Sequence, residues 1–379
     1  MTVPDTAQGV SALREELSSA GLLPAEFGPL LEALPREYFV PDQIWVSRRP
    51  IDRRTDLAGW REAVYANRSL VTQYDDGRTH WPEVGDLPTC SASQPSVVLN
   101  MLKELDLSAG HTVLEIGTGT GLNAALIAEL VGPTGQVTTM EVDRRIAEHA
   151  ERRLQAAEVA NVTVIPRDAT FGWDDHAPFD RVIATAAVPL GRVPYAWIEQ
   201  TRAGGHVIVP IRTPLTAGPL VRFTVHGDGT ATGVRLPMGV AFMESRSHRS
   251  PQPPATLPDW EQDGTDESVT TTVPWPLLGT PSSRWALAVA LGSCRYEIEP
   301  SSDARPYKLA WLLDPLSGSW ASVVPLGEGK YRVRQSGPRR LWDEAEAVRR
   351  WYVDHGEPAI TSWTWTITPE SQSISPRTA

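Results

Sequence analysis

The sequence predicts an α/β protein: a parallel sheet with helices on both faces, preceded by a helical cap and followed by an additional α+β domain. Three observations carry this. Short apolar runs alternate with helical segments between residues 112 and 211, a glycine-rich turn follows the first of those runs, and the composition changes near residue 250. At 379 residues the chain is longer than one typical core, so more than one domain is expected.

Residues 1–106 read as a helix-rich and loop-rich cap, with apolar stripes at Leu13, Leu17, Leu30, Leu31 and Leu34 before the turn-prone Pro35 and Pro41. Residues 107–250 form the sheet. Its strands are expected at Thr112–Ile116, Val137–Val142, Val162–Ile165, Arg181–Ala184 and His206–Ile211, with a helix at Leu122–Val131. Leu220–Val225 and Val234–Met243 flank the turn Gly227-Asp228-Gly229, which predicts an antiparallel hairpin closing the sheet edge. The Pro-rich, polar stretches Ser250–Pro258 and Glu261–Ser268 read as a linker. Residues 251–379 hold nine of the fourteen tryptophans and should fold around them. Within that domain Trp363, Trp365 and Ile367 alternate as in a half-buried strand, and Trp342, Ala345, Val348, Trp351 and Tyr352 recur at helical spacing. The final ten or so residues, Ser-rich and Pro-broken, read as frayed.

Bulk composition narrows the function. With 41% hydrophobic and 21% charged residues the chain is globular, and a formal charge of -11 with no clustered Lys/Arg run argues against a nucleic-acid partner. Only Cys90 and Cys294 are present, no signal-peptide pattern opens the chain, and no run is apolar enough to span a bilayer, so a cytoplasmic location with no membrane association is expected. The histidines and cysteines lack metal-ligand spacing.

The strongest local signal is Val113-Leu114-Glu115-Ile116-Gly117-Thr118-Gly119-Thr120-Gly121, an apolar strand running into a glycine-rich turn. Glycines there let backbone approach a ligand closely. Glu141, twenty residues past Gly121, stands at the end of the next strand, where a carboxylate can accept the hydroxyls of an adenosine ribose. Asp168 follows the third strand and can accept from an adenine amino group, or equally cap a turn. The glycines alone do not choose between donors, because Gly119, Gly121 and Ala124 also satisfy a nicotinamide-dinucleotide pattern. The acid at Glu115 and the turn opening at Gly117 favour a methyl donor.

Beyond that segment, Leu34-Pro35-Arg36-Glu37-Tyr38-Phe39-Val40-Pro41, Ser91-Ala92-Ser93-Gln94-Pro95, Ala177-Pro178-Phe179-Asp180, Thr185-Ala186-Ala187 and Gly204-Gly205-His206-Val207-Ile208-Val209-Pro210 occur in order. In this set the chain resembles the protein-L-isoaspartate O-methyltransferase family over roughly residues 30–245. The resemblance implies a Rossmann-like class I methyltransferase sheet that uses S-adenosyl-L-methionine and releases S-adenosyl-L-homocysteine. It implies Ser93 as the active-site serine, and Ala92, Glu115, Gly117, Thr118, Gly119, Gly121, Asn123, Glu141, Val142, Asp168 and Ala169 as the cofactor-binding set. On local sequence alone Ser93, two residues before Pro95, reads as a helix cap or near-cap. Departures from the family pattern are Ala92 for an isoleucine, Leu122 for an aromatic residue and Arg167-Asp168-Ala169 for Gly-Asp-Gly.

The segment Val240-Ala241-Phe242-Met243-Glu244-Ser245-Arg246 and the Trp-rich C-terminal domain resemble a branch associated with ribosomal peptide natural products: graspetides, lanthipeptides and lasso peptides. That resemblance implies methylation of an aspartyl side chain in a modified peptide, the ester then closing to an aspartimide. General repair of isoaspartyl residues in damaged proteins is the second reading, and a nicotinamide-binding or catalytically silent protein the third. Under either of the first two the partner is a peptide or protein bearing Asp or isoaspartate.

Overall fold

The computed structural model describes residues 5–216, 218–249, 266–299 and 309–377. The expected linker, Ser250–Pro258 and Glu261–Ser268, falls outside them except for 266–268, which are not linker but open the strand Asp266–Thr270, paired with 331–335. Its centre is a mixed sheet whose elements we number in chain order: helix α1 (Pro95–Leu105), β1 (Thr112–Ile116), α2 (Leu122–Val131), β2 (Gln136–Met140), α3 (Arg144–Ala156), β3 (Val162–Ile165), β4 (Phe179–Ala184), β5 (Thr201–Arg212), β6 (Pro219–Val225), β7 (Ala231–Gly239), α4 (Pro281–Leu291), α5 (Leu341–Asp354), β8 (Trp363–Ile367) and β9 (Gln372–Pro376). The strand order is β9-β8-β7-β6-β5-β4-β1-β2-β3, parallel from β5 through β3 and antiparallel from β5 to β9.

Burial on both faces explains the consecutive apolar residues of β1 (Val113 and Leu114) and of β4 (Val182, Ile183 and Ala184). Val113 packs with α2 and the N-terminal segment, while its neighbour Leu114 packs on the opposite face with residues of the C-terminal segment. Helix α2 is apolar almost all round because the sheet covers one side of it and Leu13 and Leu17, from the helix Thr6–Ser19, belong to the core on its other side.

Three regions differ from expectation. The N-terminal segment is not only helical: it holds an antiparallel sheet of Arg49–Asp52, Gln43–Val46, Leu70–Tyr74 and Pro88–Ala92 in that spatial order. The last two strands are paired irregularly, which breaks the alternation a sequence reading needs. The β6–β7 hairpin forms, yet it does not close the sheet, because β8 hydrogen-bonds to β7 and β9 to β8. The terminal residues therefore form an edge strand. A Ser-rich composition reads as frayed until its pairing partner is known.

The C-terminal segment also builds its own five-stranded antiparallel sheet, ordered 266–270, 330–336, 320–327, 309–313 and 295–299. Helices α4 and α5 sit between it and β8. Trp285 of α4 meets Trp363 edge-to-face at 6.4 Å and Trp365 at 5.5 Å, and Trp351 of α5 meets Trp363 at 5.8 Å. Aromatic pairs of this kind bury large apolar area, so the tryptophans join the segment to the main sheet in one continuous core. Among the described residues no helix is long and apolar enough to cross a membrane, and no cluster of His, Cys, Asp and Glu could hold a metal ion.

Candidate active site

At the carboxyl ends of β1, β2 and β4 lies a cleft of about 430 Å³, where open α/β sheets place ligands. Its floor is the turn after β1. The amides of Gly117 and Thr118 donate to the Met140 carbonyl at 2.8 and 3.2 Å, and the Thr185 hydroxyl donates to the Gly117 carbonyl at 2.6 Å. Gly117 has φ +95°, and a β-carbon there would stand 2.7 Å from the Thr185 hydroxyl, so only glycine lets this latch form.

Glu141 is buried beside the turn. Its carboxylate accepts from the Gly119 amide at 3.1 Å and the Asp143 amide at 3.0 Å; burial raises its pKa, against the lowering effect of those two amides. Asp168 stands at the cleft's other end. It accepts from the Thr170 amide at 2.9 Å, capping a short turn, and from the hydroxyls of Thr170 and Ser247. Burial works to raise this carboxyl, and the hydrogen bonds from Ser247 and Thr170 outweigh it, holding it below the usual aspartate value.

Ser93 faces the same cleft. It does not cap α1: Gln94 holds the cap position with no side-chain hydrogen bond, and the Ser93 hydroxyl has no partner among the described residues. Its main chain is fixed from below by Arg36. That guanidinium, 4% exposed, donates to the carbonyls of Ser93 at 2.8 Å, Ala92 at 3.0 Å, Arg68 at 2.9 Å, Val64 at 2.8 Å and Ala66 at 3.4 Å. Burial lowers its pKa to about 9.

Gly117, Thr118, Gly119, Asn123, Glu141, Val142, Asp168 and Ala169 line the cleft with Ser93. Three expected cofactor residues do not. Ala92 is buried, and its carbonyl accepts from Arg36. Glu115 lies wholly beneath the loop, accepting from Asn123 Nδ2 at 2.6 Å and the Thr139 hydroxyl at 2.5 Å, and Thr139 in turn bonds the Thr118 hydroxyl at 2.7 Å. It braces the loop from behind. Gly121, at φ +88°, turns toward α3, where an added β-carbon would lie 3.3 Å from Ala150 Cβ. Its bareness lets two helices approach.

Sequence reasoning missed the strap that roofs the cleft. Residues 240–247 line it, and Ala187 and Ser245 exchange main-chain bonds with the strap and the loop after β4 (Ala187 amide to Met243 carbonyl, 2.8 Å; Ser245 amide to Ala187 carbonyl, 2.9 Å). Arg246 bridges Asp143 and Asp76 at 2.9 Å each and donates to Gln73 at 3.1 Å. The segment was visible as a family-like motif, but the partners of Arg246 are more than a hundred residues away in sequence.

The cleft has a bare glycine turn and a buried acid at one end and a second acid at the other, an arrangement that suits an adenosyl group with an amino-acid tail. Residues 29–247 match the sequence profile of the Protein-L-isoaspartate(D-aspartate) O-methyltransferase family. The chain belongs to that family. Its members are S-adenosyl-L-methionine-dependent carboxyl methyltransferases with the class I fold seen here, which decides against the dinucleotide reading left open by Gly119, Gly121 and Ala124.

Among relatives, a protein-L-isoaspartate O-methyltransferase of Methanosarcina mazei is 40% identical over 129 residues, covering 34% of this chain and 51% of that protein. One from Ignicoccus hospitalis is 35% identical over 186 residues, covering 49% and 73%. The matched region thus spans about half of the first relative and about three quarters of the second. A solved protein-L-isoaspartate O-methyltransferase aligns with TM-score 0.56 and 20% identity over 97% of this chain and all of its own. That likeness of fold extends into the C-terminal segment.

Proposed function

We propose that the chain methylates the carboxylate of an isoaspartyl residue in peptides or proteins, as the names of its relatives state for them. Methylation of an ordinary aspartate in a modified ribosomal peptide, leading to aspartimide, is the less supported reading, since the matching family model and the named relatives carry the isoaspartyl activity in their names. The observation that carries the proposal is the unengaged Ser93 hydroxyl facing the same cleft as the Gly117–Thr120 turn, Glu141 and Asp168.

In this reading Gly117, Thr118 and Gly119 hold the amino-acid end of S-adenosyl-L-methionine, Glu141 the ribose hydroxyls, and Asp168 with Ala169 the adenine. When bound, the cofactor supplies a methyl group on a positively charged sulfur. The acceptor carboxylate is ionised at neutral pH, with an ordinary pKa near ~4, so no general base is needed. Ser93 donates to one carboxylate oxygen and leaves the other free to react. Arg36 keeps that serine in place, while the strap shuts out water. Exclusion of water favours the partners' charges cancelling as the ester forms.

The test compares one peptide carrying isoaspartate with the same sequence carrying aspartate. Methyl ester should form on the first and not on the second, and Ser93→Ala should lower turnover about tenfold to a hundredfold while S-adenosyl-L-homocysteine affinity stays unchanged. Esterification of the aspartyl peptide followed by loss of water would transfer support to the tailoring reading. Methylation of neither peptide would refute both.

A further inference from the structure

Strand Leu70–Tyr74 has the cleft on one side, where Val71 faces it, and a second cavity of about 700 Å³ on the other, where Thr72 and Gln73 lie. Its walls are aromatic, with Trp45 and Trp81 from the N-terminal sheet region, and helix α3 closes it with His149 and Arg153. Those two side chains are four residues apart and so share one helix face.

The charges in this cavity are unevenly matched. Of its carboxylates, Glu37 is engaged by Arg61 at 3.2 Å, and Asp42 by Arg54 at 3.5 Å and Arg53 at 3.9 Å. Arg153, half-buried, has neither a carboxylate within ion-pair range nor a hydrogen-bond acceptor among the described residues. The buried indole N–H of Trp81 likewise has no acceptor. Burial lowers the Arg153 pKa, and the more distant Asp42, already engaged by Arg53 and Arg54, offsets this only in part. An unsatisfied guanidinium in an aromatic-walled cavity calls for an anionic acceptor group. The chain as a whole carries -11, so this is a local reversal of its field.

We propose that this cavity is a subsite for an acidic side chain of the peptide substrate, its carboxylate received by Arg153. The inference rests on the isoaspartyl reading for its register. Crossing the width of two neighbouring strands takes roughly 10 Å, or about three extended residues, so the acid would lie roughly two to five residues from the isoaspartate.

Two measurements test it. In the first, isoaspartyl peptides with Glu or Gln at each of these positions on either side are compared as substrates. At one position Glu should lower KM roughly fivefold with kcat unchanged, and Arg153→Gln should abolish that preference without altering turnover of the all-Gln peptide. In the second, fluorescence anisotropy reads binding of the labelled acidic peptide to the full chain saturated with S-adenosyl-L-homocysteine, independently of any methyl transfer. Wild type should bind the Glu peptide more tightly than the Gln peptide, and Arg153→Gln should not discriminate. A preference that survives Arg153→Gln, or equal binding of Glu and Gln peptides to wild type, overturns the subsite. Failure to methylate any isoaspartyl peptide, with the anisotropy difference intact, would instead count against the functional reading alone.

Discussion

Glu115 provides a quantitative test of the loop-bracing arrangement. The side chain is fully buried, and desolvation pushes its carboxyl from the ordinary 4.5 up to about 7, against the lowering effect of hydrogen bonds from Thr139 and Asn123. Below pH ~4.5 the group is protonated in folded and unfolded chains alike and contributes no pH-dependent penalty. As pH rises, the unfolded chain releases a proton that the folded chain retains, so stability falls through the window from about 4.5 to about 7 and the loss is complete above it. A displacement of that size corresponds to about 3 kcal/mol. Glu115→Gln has no proton to lose. Its amide oxygen can accept from Asn123 and its amide nitrogen can donate to Thr139, whose hydroxyl then turns to Thr118, so the substitution itself should cost only about 1 kcal/mol in imperfect hydrogen-bond geometry. Urea unfolding of both proteins at several pH values isolates this residue, because every other carboxyl is common to the pair. Near pH 4.5 the variant should be equal or slightly less stable; by pH 8 it should have gained about 2–3 kcal/mol relative to wild type. Parallel stability curves across the window would refute a buried, neutral brace beneath the glycine turn.

Two further substitutions probe the parts that sequence reasoning passed over. Arg36→Lys supplies one ammonium where a guanidinium serves five carbonyls, and should destabilise by about 2 kcal/mol and lower kcat as Ser93 loosens, with S-adenosyl-L-homocysteine affinity held within about twofold; thermal melts and steady-state kinetics read the two effects. Arg246→Gln removes the bridge between Asp76 and Asp143, so stopped-flow should show S-adenosyl-L-homocysteine leaving roughly tenfold faster, and an unchanged release rate would mean the strap does not hold the cleft shut.

Much of the fold is legible in the sequence because the central parallel strands β1 and β4 carry consecutive buried apolar residues, and because β8 keeps strict alternation through Trp363, Trp365 and Ile367. The glycine turn, Glu141 and Asp168 are legible for a related reason: a strand end followed by a cleft-facing residue is a local pattern. What escaped is long-range. The direction of Gly121 depends on Ala150 of another helix, the burial of Glu115 on Thr139 of the neighbouring strand, and the grip on Ser93 on Arg36, whose five carbonyl partners come from two other stretches of chain. None of these pairings leaves a period or a motif. Ser93 illustrates the opposite error: its position before Pro95 has the local form of a cap, yet its hydroxyl stays free and its carbonyl is what the fold secures.

Isothermal titration calorimetry of the whole chain with S-adenosyl-L-homocysteine, run beside NAD and repeated on Glu141→Gln, probes the cleft itself. Saturable heat at one site per chain, at least tenfold weaker in the variant and absent with NAD, is the predicted result. Silence with the homocysteine product, or equal affinity in wild type and variant, would contradict a nucleoside held between the β1 turn and the acid that ends β2.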